Sequence, residues 1–448
     1  MLFWRYDTSI KRPLSIIKLS GEYLTMNKTE KRILILGSLD EFNQLVTAAR
    51  AKGYRTYVCD GNIGPAKELA DESFNIDVRE IDQIAKVCRQ EHIDYIVTSF
   101  SDRLFECMVK IAQKAQLPCY IKPAQLAYYR DKAVMKATLA SLNIPTPKHL
   151  LLKKDDDSQV LSSLHFPVVT KPLDMYGSRG VFVLNSPDEV NQYFDQACAT
   201  SSRQEIIIEE YNSGHEFNMM TWVLDGEIYV LSIADREKTT VNNHDIPYSS
   251  RNVYPSRLIT SVHDDAKNIL TRFIAKTKQL NGPLSMQFFY SPEKGIQVGE
   301  IAGRFFGYEH ELLEYCSQLS IEQLLLSSLN DPYMTFPLEI KAALKNHSAF
   351  FKTVSAVLYF QARDGIIANQ SKVLSPALQK HIKKLQLFYQ IGDHIGPNDS
   401  QPYAARVYIT ANTHEAIDVL TKQIYAEMSI TDEDGNELLF TNQISYYY

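Results

Sequence analysis

FPVVTKPLDMYGSRGV, residues 166–181, reads as a short apolar strand that ends in Lys171 and opens into a loop of small residues. Gly177, Ser178, Arg179 and Gly180 let backbone N–H groups come close to phosphate oxygens, and Lys171 adds a point charge. Alone, the same pattern also describes a plain hairpin. The stretches on either side decide between the two.

Downstream lies EIIIEEYNSGHEF, residues 205–217. Its extended backbone could pair with an adenine edge, and a carboxylate there could accept from ribose hydroxyls; a hairpin with solvated carboxylates remains the alternative. Further on, MQFFYSPEKGIQVGEIAGR (286–304) reads as two strands joined by a tight turn, with Gln287 and Glu300 on neighbouring strands. A carboxylate there can hold Mg²⁺ against phosphate oxygens, because Mg²⁺ prefers hard oxygen ligands. Arg304 could neutralise charge on a transferred phosphoryl group, or simply form a surface ion pair with Glu300. IADREKT (233–239) offers Arg236 and Lys238 to an acceptor carboxylate, a solvated basic turn being the alternative.

Upstream, strands and helices alternate from residue 31: KRILILG (31–37), a helical pattern over 40–53, YRTYVCD, a helix around 80–91, IDYIVTS, a helix over 103–116, and PCYI (118–121) as a last strand. That order predicts a doubly wound parallel sheet. The turn after the first strand is GSLDEF rather than GxGxxG, which argues against a dinucleotide enzyme. GxxxxGK[ST], HExxH and GxSxG are also absent from the chain.

Taken in this order, the stretches resemble the ATP-grasp superfamily. RDKAVMKATLASLNIPTP (130–147) is similar to the family segment whose lysine, here Lys132, reaches the nucleotide phosphates. VVTKP carries the second phosphate lysine, Lys171, and YGSRGV the glycine-rich flap. IIIEEYNSGHEF matches the hinge: the resemblance implies that Glu209 with the Glu210–Tyr211 backbone holds adenine and that Glu216 holds ribose. VGEIAGR matches the metal and catalytic strand, with Glu300 and Arg304. Two positions depart from the pattern, Gln287 where an acidic residue is usual and Ala302 where asparagine is frequent, and both bear on metal binding. FFGYEH (305–310) has the wrong spacing for Glu309 to act as a base.

The resemblance implies an N-terminal extension (1–30), a doubly wound α/β domain (31–122), an ATP-grasp domain (123–336, lid about 149–214) and a small C-terminal α+β domain (337–448). The expected function is an ATP-dependent ligase. It activates a small-molecule carboxylate as an acyl-phosphate, joins it to an amine or related nucleophile, and releases ADP and phosphate. ATP and Mg²⁺ are the expected cofactors, with Mn²⁺ able to substitute. The rivals are bicarbonate activation of the biotin-carboxylase or carbamoyl-phosphate type, and an ATP-binding regulatory protein without turnover.

Composition agrees with this class. The 448 residues are 45% apolar and 22% charged, the balance of a globular protein. Lys plus Arg number 47 and Asp plus Glu 53, a net charge of −6, so no nucleic-acid footprint is expected. Six scattered cysteines without a CxxC pair suggest reduced thiols in a cytoplasmic protein. No apolar run reaches the roughly 18 residues of a membrane span. A homodimer is compatible with all of this. Basic residues and Pro13 interrupt residues 1–25, so either Met26, just before the first strand, is the natural start or the preceding segment is an accessory arm.

Overall fold

The computed structural model describes residues 30–154, 156–174, 180–199, 201–238, 247, 249–306, 310–317, 319–329, 337–371, 374–396 and 403–440. Four parallel strands open the chain, in the order Glu72–Phe74, Arg55–Cys59, Arg32–Leu36, Tyr95–Val97. Ile33 to Leu36 are wholly buried, as expected of a strand covered on both faces. Gly37 follows at φ +117°, where a Cβ would sit 2.4 Å from the Phe42 ring. Only glycine lets that ring close the end of the strand.

The expected strand at 118–121 does not form. Its residues serve tertiary packing instead: the Tyr120 ring lies against Gly282 and its hydroxyl donates to the Gly303 carbonyl at 3.2 Å. This tethers the first sheet to the strand end that carries Arg304.

A second sheet, antiparallel, runs in the order His149–Lys153, Glu205–Glu210, Val168–Pro172, Phe182–Leu184. It has its own hydrophobic cluster, with Leu161, Val168, Ile206 and Ile208 at its centre and helix Pro187–Cys198 behind. A third sheet of eight antiparallel strands runs Gly295–Ala302, Gly282–Ser291, His215–Leu224, Glu227–Lys238, Ser249–Tyr254, Val354–Phe360, Ala405–Ala411, Ile382–Leu387. The last three lie beyond residue 336. Val354–Phe360 pairs directly with Ser249–Tyr254, so the C-terminal region extends the central sheet, and it adds two small two-stranded sheets and a hydrophobic cluster of its own.

The six cysteines form no disulfide. Among the described residues no helix is long and apolar enough to cross a membrane.

Candidate functional site

The antiparallel register of the second sheet places Val169 opposite Glu209. Side chains alternate along a strand, so Lys171 shares the face of Val169 and becomes a diagonal neighbour of Glu209. Lys171 Nζ donates to Glu209 Oε2 at 2.5 Å, and Lys136 Nζ lies 2.6 Å from Oε1. Lys136 comes from helix Lys132–Ser141, one turn beyond Lys132, which puts the two lysines on one helix face. Asp131 caps that helix by accepting from the Ala133 and Val134 N–H groups. Burial alone would push the Glu209 carboxyl up, but the two lysines outweigh it and hold the group down at about 2.

On the central sheet Gln287 stands opposite both Glu300 and Asn218, and Glu216 lies two residues before Asn218 on the same face. Glu216 is buried and heavily engaged. Its Oε1 accepts from Arg236 Nη1 at 2.8 Å and from Gln287 Nε2 at 2.6 Å, while Oε2 pairs with Lys238. Burial raises its pKa, yet Lys238 and Arg236 carry it below the usual range. Glu300 is the charge that joins the two halves: its field raises the proton affinity of Lys132, Lys136, Lys171 and Arg304 alike. At Lys132 burial still dominates and lowers the pKa.

For Arg304 the alternative was an ion pair with Glu300. Its partner is not Glu300 but Asp102, at the start of helix Asp102–Ala115. Arg304 Nε donates to Asp102 Oδ1 at 2.9 Å, Nη2 to Oδ2, and Nη1 to the Phe305 carbonyl at 2.8 Å. Burial raises the Asp102 pKa, and Arg304, Arg130 and Lys132 more than reverse that.

Lys132, Lys171, Glu209, Glu216, Arg236, Lys238, Gln287, Glu300 and Arg304 are thus linked contact by contact or through their fields. The present contacts of several of them bear on the roles expected. Both Glu209 oxygens belong to lysines and both Glu216 oxygens to cations or an amide, so neither carboxylate is open to adenine or ribose in this arrangement. The N–H groups of Glu210 and Tyr211 already donate to the Lys148 and Pro167 carbonyls, which leaves their own carbonyl oxygens for an adenine edge. The Glu210 carboxylate turns to His165. Gly180 stands at φ +71° with a Cβ position 2.6 Å from the Ala197 carbonyl, so its glycine is required by the turn itself. Gly177, Ser178, Arg179 and Glu309 lie outside the described residues. Two residues were missed: Lys136, which the i, i+4 spacing from Lys132 could have signalled, and Asp102, which no local pattern singles out.

A family model described as "ATP-grasp domain" matches residues 164–310. By this match the chain carries an ATP-grasp domain. Its relatives include the formate-dependent phosphoribosylglycinamide formyltransferase of Bacteroides thetaiotaomicron, 23% identical over 61% of this chain and 70% of that protein. The carbamoyl phosphate synthase large chain of Clostridium acetobutylicum is 23% identical over 61% of this chain and 27% of its own length. Among solved structures, the L-amino acid ligase of Bacillus licheniformis superimposes with a TM-score of 0.73 at 16% identity, covering 90% of this chain and 99% of that one.

The donor set for a metal at this site is thin. No cluster of three or more His, Cys, Asp or Glu side chains suited to a metal occurs among the described residues. Glu300 supplies one carboxylate, and Gln287, with Nε2 committed to Glu216, has an amide oxygen to give. Those hard oxygens fit Mg²⁺, provided that nucleotide phosphates and water supply the rest.

Proposed function

We propose that this chain is an ATP-dependent ligase that activates a small-molecule carboxylate as an acyl-phosphate and joins it to an amine, releasing ADP and phosphate. The observation that carries the reading is the gathering of Lys136 and Lys171 on the buried Glu209 and of Arg236 and Lys238 on the buried Glu216. Cations that outnumber the carboxylates they pair with are suited to a polyphosphate, whose charge would complete the balance. The division into domains at 31–122, 123–336 and 337–448, with a lid at 149–214, belongs to the same proposal; the separate hydrophobic cluster behind the second sheet supports the lid.

In this reading Lys132 and Lys171 bind the nucleotide phosphates, and Arg304, held in aim by Asp102, meets the charge that develops on the transferred phosphoryl group. Arg236 and Lys238 lie beside Glu216, where a substrate carboxylate could take over their contacts. Mg²⁺, held by Glu300 and Gln287, would supply further charge neutralisation when bound. The flap around Gly177–Gly180 would keep water from the acyl-phosphate.

The test is release of ADP and phosphate from ATP, measured against panels of amino acids, sugar acids and bicarbonate, each with and without amines. Turnover that needs both a carboxylate and an amine is expected. Bicarbonate alone sufficing would favour the carbamoyl-phosphate type of reaction. The neutral Gln287 favours a second reading, an ATP-binding regulatory protein, for which ATP would bind without turnover in every panel.

A further inference from the structure

Glu209 has two lysine partners that differ in one respect. The Lys136 side chain is 4% exposed and the Lys171 side chain 23%, while the carboxylate between them is 3% exposed. Lys136 is therefore enclosed between its helix and the second sheet, and Lys171 is the partner that reaches solvent. A buried carboxylate can exchange one cation for another at modest cost, but losing every cation strands a charge away from water. Three carboxylates, Glu209, Glu300 and Glu216, and three lysines, Lys132, Lys136 and Lys238, act on Lys171, so a lysine leaving Glu209 still has carboxylates about it.

We propose that Lys136 is the permanent counter-ion of Glu209 and Lys171 its exchangeable one: when nucleotide phosphates arrive, Lys171 moves to them and Lys136 alone keeps Glu209 paired. Lys136 is then a positioning residue. It touches no phosphate, yet it decides whether Lys171 is free to do so. The inference rests on the ATP-binding reading above and adds to it a residue that the family resemblance did not assign. Sequence spacing agrees: Lys136 follows Lys132 by one helical turn, so one helix presents a cation to the nucleotide and another to the carboxylate.

The experiment measures ATP and adenosine affinity by calorimetry for the full chain and for Lys171→Ala, Lys136→Met, Lys136→Arg and the pair Lys136→Met/Glu209→Gln. Lys136→Met should weaken ATP about tenfold or more, because binding would then strand Glu209. Adenosine, which asks nothing of Lys171, should bind as in the unaltered protein. Lys136→Arg should stay within a few-fold of the unaltered protein, since the counter-ion remains. The pair, which removes one charge of each sign and releases Lys171, should recover ATP affinity.

A direct phosphate contact by Lys136 would leave the pair as weak as the single variant, and that result overturns the proposal. So does an equal loss for ATP and adenosine, the mark of a merely structural lysine, or ATP affinity unchanged in Lys136→Met. Should Lys136→Met not fold, the pair alone decides. If the unaltered chain binds no ATP, or Lys171→Ala binds it equally well, the ligase reading itself falls and this inference with it. A loss in Lys171→Ala with none in Lys136→Met overturns this inference only.

Discussion

Asp102 and Arg304, 202 residues apart, face each other in a two-point carboxylate–guanidinium pair that joins helix Asp102–Ala115 to the end of the strand carrying Glu300. Side-chain exposure is 10% for Arg304 and 12% for Asp102, so the charges are largely out of water. The pair fixes the guanidinium plane, which a lone arginine on a strand end would not hold.

Asp102→Ala should therefore lower both stability and turnover. Removing one partner of a buried pair typically costs about 3–5 kcal/mol, because the remaining charge is left uncompensated. Chemical denaturation measures the first effect and phosphate release the second. The coupling is checked with Asp102→Ala/Arg304→Ala, which should cost less than the two single changes added together, by about 0.5–3 kcal/mol. Strict additivity would show that the pair does not act as a unit.

Lys171→Ala should weaken ATP binding while leaving the nucleotide-free fold nearly intact, since Lys136 keeps Glu209 paired. A lost charge-assisted phosphate contact is worth about 1.5–3 kcal/mol, or roughly one to two decades in affinity. Titration with ATP, alongside thermal unfolding of the free protein, separates the two effects. A large fall in melting temperature with little change in affinity would make Lys171 a structural residue.

Much of this was legible in the sequence, because the relevant signals are local. A strand ending in Lys171, a hairpin bringing Gln287 against Glu300, and a helix opening at Lys132 each follow from alternation or helical period over a few residues. What the sequence could not yield is how buried charges choose partners. Glu300 and Arg304 sit four residues apart and invite pairing, but the arginine goes to Asp102, which only the tertiary fold brings near. Glu209 and Glu216 looked available to a nucleotide because a linear pattern does not show that lysines and an arginine saturate them. The missing strand at 118–121 has the same origin, since Tyr120 is recruited by Gly282 and Gly303 from the central sheet.

Acid should loosen the protein in a defined window. The Glu209 carboxyl titrates at about 2 in the folded chain against an ordinary 4.5, so the folded state favours the ionised form. Its contribution is fully present above pH ~4.5 and disappears as pH falls toward 2. In Glu209→Gln the unfolding free energy should fall less steeply with acid over that interval than in the unaltered protein. Urea unfolding at half-unit steps from pH 5 to pH 2.5 reads the two slopes, and parallel curves would remove Glu209 from the acid response.

The metal strand gives the most exacting test, because Gln287 touches both halves of the site. It stands opposite Glu300 and donates to Glu216 Oε1. Gln287→Glu replaces that donor with a carboxylate, so it sets like charges side by side in a partly buried place. The free protein should lose stability, while a divalent cation between the introduced carboxylate and Glu300 would relieve the repulsion. A neutral ligand attracts Mg²⁺ less than a carboxylate does, and at the effective dielectric of a protein surface the difference is about 1 kcal/mol or more, roughly fivefold in half-saturation. Gln287→Glu should then need less Mg²⁺ for ATP turnover, and Mg²⁺ with ATP should raise its melting temperature more than that of the unaltered chain. Glu300→Gln removes the one carboxylate of the pair and should abolish turnover at every Mg²⁺ concentration. Turnover and melting temperature titrated against Mg²⁺ in the three proteins decide the matter: three superimposable curves would mean that these two strands only pack, and that the metal is held elsewhere.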